Sequence, residues 1–444
     1  MTTPATTMPR RSNGVRVTAG LALGAALLAA APLPSRAQSG VALPAGVAPS
    51  APATDVAVLG FDEALARALE RNPALVAARG GREVAAAQLR RARAWQNPTL
   101  DIEAENVLGQ GQYSDFDSAE TTVSLIQPLP IGGGRAAAIR GARAGEAGAE
   151  AGAELAMREL RRDVAIAYAD AIAAERLAGI ARERARLGAE TRDAVARRLA
   201  AGLESELQRA RIEVDTSGLQ AAARRAAAEA MARRRALAAL WREDAVAARL
   251  DDAWFDAAGR ATAPALGLVS DVATHPRLRG AEQAVLRAGA ALEAARAQRF
   301  TGLEARIGSR SFGSAVGIGD QAFVLGLALP LPVWNRNGAG IAEARVALAS
   351  AEAAAERVRR ELEGARVAAA AELEAADIEL RALSASGLPA AQSAAALARR
   401  GYEAGRLSLL ERIDAERSLS DLRERLELAR RAMHRARAEL ESLR

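Results

Sequence analysis

The sequence predicts a mainly α-helical chain with a small β part: duplicated long helical hairpins, plus four strands that form one share of a transmembrane β-barrel. Three observations carry this. Residues 135–200 contain no proline, and about 66 helical residues would span roughly 100 Å. Local motifs recur at a spacing of 202 or 203 residues, so the chain is a tandem duplication of one large unit. Four runs alternate apolar and polar residues, and two of them stop on Pro-Leu-Pro, at Pro128 and Pro130 and again at Pro330 and Pro332.

Composition agrees. Aromatic residues are only 3% of the chain, and alanine and arginine dominate, which suits helices packed through small side chains. There is no cysteine, so disulfides, thiolate metal sites, a cysteine nucleophile and a lipid-anchor cysteine are all excluded. Every one of the 60 basic residues is arginine.

The first element is an export signal at residues 1–37. Arg10, Arg11 and Arg16 precede the apolar run VTAGLALGAALLAAAPL, and Ser35 and Ala37 stand three and one residues before a cleavage point. Residues 38–59 read as a flexible leader. Loss of a signal holding four arginines and no acid takes the chain from a net charge of +6 to about +2. The remaining arginines interleave with glutamate at helical spacing, as in RERARLGAETRD, which is a solvated helix face. A nucleic-acid binder would present a one-sided basic surface, so nucleic acid is not expected as a partner.

The first repeat, 60–243, opens with a helix from Pro73 to Trp95. Two strands follow, Thr99–Asn106 and Glu120–Pro128. In TLDIEAEN, Leu100, Ile102 and Ala104 alternate with Asp101, Glu103 and Glu105. Between the strands, GQGQYSDFDSAE, with Asp115, Asp117 and Glu120, reads as a soluble loop on the cell exterior. Pro128 and Pro130 end the strand because proline has no N–H to give. Gly132, Gly133 and Gly134 then let the backbone swing into the long helix. That helix carries two apolar stripes, one through Leu160, Val164 and Ala171 and one through Ala169, Ala173 and Leu177, as a stave with neighbours on both sides would.

A linker or equatorial segment, 244–271, leads to the second repeat, 272–444. It repeats the order: a helix from Pro276 to Arg299, strands Gly302–Ser311 and Ala322–Pro330, the junction of Pro330, Pro332 and Gly338, and a helical run from Ile341 to Glu403. The last helix has a coiled-coil stripe through Leu419, Leu422, Leu426, Ala429, Met433, Ala436, Leu440 and Leu443. Strands of nine to eleven residues, apolar on one side and polar on the other, suit a membrane barrel wall. Four strands cannot close such a barrel, so it must be shared between chains. Trp95 and Trp334 would stand at one rim, where interfacial aromatics belong.

Chemistry is sparse. His275 matches Asn72 as a helix cap before proline, and His434 is one polar position on the last helix. Two histidines and no cysteine leave no transition-metal site. No nucleophile–base pair, phosphate loop or catalytic acid pair appears, so neither an enzyme nor a cofactor is expected.

With that architecture reached, the chain resembles the TolC-like outer-membrane efflux ducts, in particular the outer-membrane components of cobalt-zinc-cadmium-type heavy-metal exporters. NPTLDIEAENVLG, ETTVSLIQPLPIGGGR, the duplication, and YEAGRLSLLERIDAE carry the resemblance from about Phe61 to Leu443. It implies a homotrimer with a twelve-stranded barrel in the outer membrane and an α-helical tunnel across the periplasm. It also implies partners: a periplasmic adaptor, an inner-membrane pump of the RND type, and outer-membrane lipid. The family's gate pattern falls on Tyr402, Arg406, Glu411 and Asp414, with Ser205 and Glu206 opposite in the first repeat. Glu411 and Asp414 share a helix face, and three chains would gather two acidic rings that favour cations. Adaptor docking is implied at the hairpin tips: Gly202 and Leu203, then Gly405, Leu407 and Ser408. The rival readings are a duct for type I protein secretion or drug efflux, a periplasmic adaptor, and a structural coiled coil. An adaptor would have one hairpin and a β-rich tail, and a rod would have no use for the strands.

Overall fold

The computed structural model describes residues 58–107, 110–113, 118–257, 272–299, 302–312 and 320–444. The export signal, the leader up to residue 57, the loop acids Asp115 and Asp117, and linker residues 258–271 lie outside the described residues.

The first repeat runs β1 (Val58–Leu59), α1 (Phe61–Arg71), α2 (Pro73–Arg93), β2 (Thr99–Glu105), β3 (Glu120–Leu129), α3 (Gly134–Ala200) and α4 (Glu206–Ala239). After β4 (Arg249–Leu250) and α5 (Asp252–Asp256), the second runs α6 (Pro276–Ala297), β5 (Leu303–Phe312), β6 (Gln321–Ala328), α7 (Gly338–Ala382), α8 (Leu388–Glu403) and α9 (Leu409–Ser442). The stretch read as leader is structured at its end. Leu59 is buried, and β1 pairs in parallel with β4.

Helix α3 is 67 residues long. Its alanines favour helix, and nothing in it interrupts the backbone ladder. Its amino-terminal half is rich in glycine because it lies close on α6: a Cβ at Gly141 would stand 3.4 Å from that of Ala290, and one at Gly148 would stand 3.5 Å from that of Gln283. The stripes seen in the sequence are buried where they meet neighbours, at Leu160, Val164, Ala169, Ala171 and Ala173, and on α9 at Leu426, Ala429, Met433 and Ala436.

The counterpart of α3 in the second repeat is not one continuous α-helix. Residues Leu383–Gly387 form a π turn between α7 and α8. Pro389 is the reason: it has no N–H for the carbonyl four residues back, and its ring crowds that turn. Ser384 and Ser386 donate their hydroxyls to the carbonyls of Leu380 (2.7 Å) and Ala382 (2.9 Å) in the loosened stretch.

The four long strands form one antiparallel sheet in the order β2-β3-β5-β6. The repeats therefore join at the centre of the sheet, where β3 pairs with β5. Pro128 does not end this strand. It sits inside β3, in register with Glu304, but β2 has already stopped opposite Ile126, so the proline lies on a locally open edge. The strand ends at Leu129, with Pro130 beyond it.

Few aromatics exist, yet five gather at one level. Tyr168 on α3, Phe61 on α1, Trp241 after α4, and Trp254 and Phe255 on α5 make the core beside β1 and β4. The Tyr168 hydroxyl donates to the Leu59 carbonyl (2.7 Å) and accepts from the Asp251 N–H (3.0 Å). Burial pushes its pKa up to about 12. This cluster fastens β1, β4 and α5 to the middle of α3.

Each repeat is closed by the same device. Asn72 caps α2, accepting from the Ala74 N–H (2.9 Å), while its amide donates to the Leu240 carbonyl at the end of α4 (2.9 Å). His275 caps α6: Nδ1 accepts from the Arg277 N–H (3.2 Å), which leaves Nε2 to donate to the Ser442 carbonyl at the end of α9 (3.2 Å). The expectation that His275 is a cap holds.

Candidate functional site

The sheet separates its two faces by register. Leu100, Leu125, Ile307 and Leu325 form one row across all four strands, and all four are exposed. Beside them Phe323 is 90% exposed, so nothing in this chain covers the face. On the opposite face, Arg310 on β5 reaches over β3 to Glu120 (2.8 Å) and Glu105 (3.3 Å), and Arg306 approaches Asp101 (3.7 Å). These straps bury Thr122 and Ser124 beneath them. The spacing of Arg306 and Arg310 in RIGSR, four apart on one strand face, carried this signal. Glu103 and Glu304 lie on the same face, opposite Thr122 and Pro128, and add further negative charge. Within the chain β2 and β6 each pair on one side only. An uncovered apolar face with two open edges is costly in water and fits lipid once the edges pair.

The junctions are built differently in the two repeats. In the first, Gly132 (φ 77°) and Gly133 (φ 86°) are left-handed, and Gly134 starts α3. In the second, Gly338 starts α7 with ordinary φ, and the left-handed residue is Asn337 (φ 55°). Asparagine tolerates this conformation, and here its amide donates to the Ala295 carbonyl (2.8 Å), tying α7 to α6. Pro330 and Pro332 both lie beyond β6.

The two hairpin tips share one geometry. The N–H of Gly202 bonds to the Leu199 carbonyl, and that of Leu203 to the Arg198 carbonyl, each at 2.9 Å. Gly405 to Tyr402 (3.0 Å) and Arg406 to Gly401 (2.9 Å) repeat it. This is the Schellman closure, which needs a left-handed residue after the cap; Gly202 (φ 72°) and Gly405 (φ 69°) supply it. Ser205 then caps α4, accepting from the Gln208 N–H (3.2 Å), and Ser408 caps α9. Leu203 is exposed at its tip, and Leu407 folds back against Gly401.

Among the residues expected at a gate, Glu411 and Asp414 are both exposed on α9. Glu411 also has local work. Its carboxylate accepts from the Ser408 N–H and hydroxyl (both 2.8 Å), while Ser408 Oγ accepts the Glu411 N–H (3.3 Å). This is a capping box, and the Ser408 N–H, with its hydroxyl, holds the carboxyl below its usual range. Tyr402 faces not Arg406 but Arg412, whose guanidinium lies 5.4 Å from the ring centre. Arg412 pairs with Glu416 (3.1 Å), which also meets Arg399 (3.5 Å). The sequence reading missed both partners, although Arg412 and Glu416 stand at i, i+4 spacing. Arg406 is exposed, and Glu206 pairs with Arg209 (2.9 Å). Among the described residues, no hydrogen bond or ion pair joins Tyr402, Arg406 or Asp414 to Ser205 or Glu206 within one chain. The hairpins are instead joined farther from the tips, by Arg417 with Asp215 (2.6 Å) and by Arg184 with Asp421. These pairs flank a cleft of about 580 Å³ lined by Leu187, Ile212, Leu219 and Ile413.

His434, the polar position on the last helix, is buried. It stacks on Trp254 (4.1 Å between centroids), and its Nε2 meets the Phe255 carbonyl (3.0 Å). Burial lowers its pKa, as burial and then the neighbouring arginines lower that of His275.

The family model described as "Outer membrane efflux protein" matches residues 64–242 and 270–444. The chain is 31% identical to the nickel-cobalt-cadmium resistance protein NccC of Alcaligenes xylosoxydans xylosoxydans over 317 residues, 70% of each chain. It is also 31% identical to the nickel and cobalt resistance protein CnrC of Cupriavidus metallidurans, over 71% of this chain and 74% of that one. A crystal structure of CusC, described in connection with transmembrane channel formation, has the same fold. Its TM-score is 0.74 at 20% identity, over 86% of this chain and 91% of the other.

Proposed function

The chain belongs to the outer membrane efflux protein family and is an outer-membrane efflux channel with a periplasmic helical tunnel; on that premise we propose that three copies form the exit duct of a tripartite exporter of heavy-metal cations. The observation that carries the assembly is the four-stranded sheet, apolar on one face and open at both edges. Three such sheets edge to edge make a closed twelve-stranded wall, with the apolar rows in lipid and the strapped acids inward. Residues 60–243 and 272–444 are the two repeats, joined by the equatorial segment, and the clasps at Asn72 and His275 support those limits.

The cargo reading rests on the names of NccC and CnrC and on the acids of the inward sheet face. A periplasmic adaptor docks at the tips around Gly202, Leu203, Gly405, Leu407 and Ser408, and an RND-type pump supplies the driving force. The duct performs no covalent chemistry. Its gate is formed by Tyr402, Arg406, Glu411 and Asp414 of one hairpin, with Ser205 and Glu206 meeting them from a neighbouring chain. The test is a strain that keeps a nickel-cobalt pump and adaptor but lacks their outer-membrane duct. Expression of this chain should restore growth on nickel and cobalt. Failure to do so, with restored export of dyes or detergents, would overturn the cargo reading in favour of drug efflux.

A further inference from the structure

All four connections between sheet and helices leave from one end of the sheet. β2 begins there, β3 ends there, β5 begins there and β6 ends there. The described segments that build this end, 84–98, 130–145, 294–299 and 329–342, contain arginines and no aspartate or glutamate. Among the described residues, Arg90, Arg91, Arg93, Arg296, Arg299 and Arg336 are exposed and make no ion pair. Glu293, beside this belt, is taken by Arg140, and Glu304 at the start of β5 lies on the polar face of the sheet, opposite the apolar row. At the opposite end of the sheet the charge reverses, with Glu105 and Glu120 paired in register and Asp320 just before β6.

The same end carries an uncovered amphipathic edge. The outward row of β6 continues past the last strand residue: Leu329, Leu331 and Val333 remain exposed after Phe323, Leu325 and Leu327. Trp334 follows at 96% exposure. Trp95 stands at the same end on the first repeat, also exposed, with the Arg135 guanidinium 5.2 Å from its ring centre. Tryptophan settles where acyl chains meet headgroups, and guanidinium binds phosphate oxygens two at a time. Basic residues at that depth are drawn to an anionic leaflet.

We propose that this arginine and tryptophan collar binds the anionic phospholipid headgroups of the leaflet facing the periplasm, and so fixes the depth of the barrel. The inference rests on reading the sheet as a barrel wall. Continuity with the apolar outer face and the excess of positive charge select a lipid surface rather than a protein.

The test uses the full mature protein, extracted from bilayers of phosphatidylcholine with about one third phosphatidylglycerol. Native mass spectrometry counts the lipids that stay bound. The parent should retain phosphatidylglycerol over phosphatidylcholine. Arg90→Gln, Arg91→Gln and Arg93→Gln together should lower that preference about tenfold, whereas the same three changes to lysine should keep most of it. Arg296→Gln with Arg299→Gln should act in the same direction, so the proposal does not hang on one folded variant. Added inorganic phosphate should not displace the lipid. Equal retention of both lipids, retention unchanged by the glutamine variants, or displacement by phosphate would overturn the collar. So would a change in ion selectivity with lipid binding intact, which would put the arginines in the lumen. The same spectra report assembly: a parent monomer sinks the barrel reading and the collar with it, while a trimer indifferent to the arginines sinks the collar alone.

Discussion

His275 is the residue with the plainest pH consequence. Burial and the arginines at 158, 277 and 366 hold its pKa below the usual value, and its Nδ1 must stay unprotonated to cap α6. Below pH about 6.5 the unfolded chain binds a proton that the folded chain resists, so stability falls as pH falls through that range and is complete above it. His275→Asn should therefore fold normally at pH 8, since Asn72 does the same work in the first repeat. It should also lose less melting temperature between pH 7 and pH 5 than the parent; an unchanged acid loss would remove His275 from the cause. Glu411 makes a second test. Glutamine can replace glutamate in a capping box, so Glu411→Gln should leave α9 intact, while Glu411→Ala should lower the melting temperature. With Asp414→Asn added, the glutamine variant should conduct in planar bilayers with lower cation selectivity and weaker block by multivalent cations from the periplasmic side. Parent-like conductance would make these acids surface charges. At this scale the caps and tip glycines were legible, because Asn-Pro, His-Pro and Gly after a helix are local signals. The capping box was legible too, as Ser-x-x-Glu, and it stands beside the gate role proposed for Glu411. Arg412 under Tyr402 was not legible, because it lies across the turn.

At the scale of elements, periodicity located the strands and the long helix to within a few residues, since each pattern is a direct image of its own backbone. What it missed depends on contacts distant in sequence or on one residue overriding its neighbours. The pairing of β3 with β5 crosses between repeats. Pro389 was hidden inside a convincing helical pattern, and Asn337 does in the second junction what Gly133 does in the first. The first junction can be tested directly. Valine at Gly132 and Gly133 would have to hold φ near 80°, at a cost of about 1–3 kcal/mol each. Changing both should sharply reduce the yield of assembled protein, while valine at Gly134, where φ is not left-handed and a Cβ would meet Ala297 at only 3.5 Å, should be tolerated far better. Equal losses at the three positions would mean that the turn is set by something other than backbone conformation.

At the scale of the whole molecule, the duplication, the strand faces and the stave-like helix already led to the expectation of a barrel shared between chains. The missing part was how the polar face is held. Arg306 and Arg310 of the second repeat strap acids of the first across β3, so the polar face is a braced surface rather than a row of free carboxylates. Everything then turns on the open edges of β2 and β6. An exposed apolar sheet with unpaired edges has no stable closed form as a single chain in lipid. The most direct measurement is the mass of the folded protein after extraction into mild detergent. The account predicts a single species of three chains that dissociates only on unfolding. A stable, folded, monodisperse monomer would contradict it.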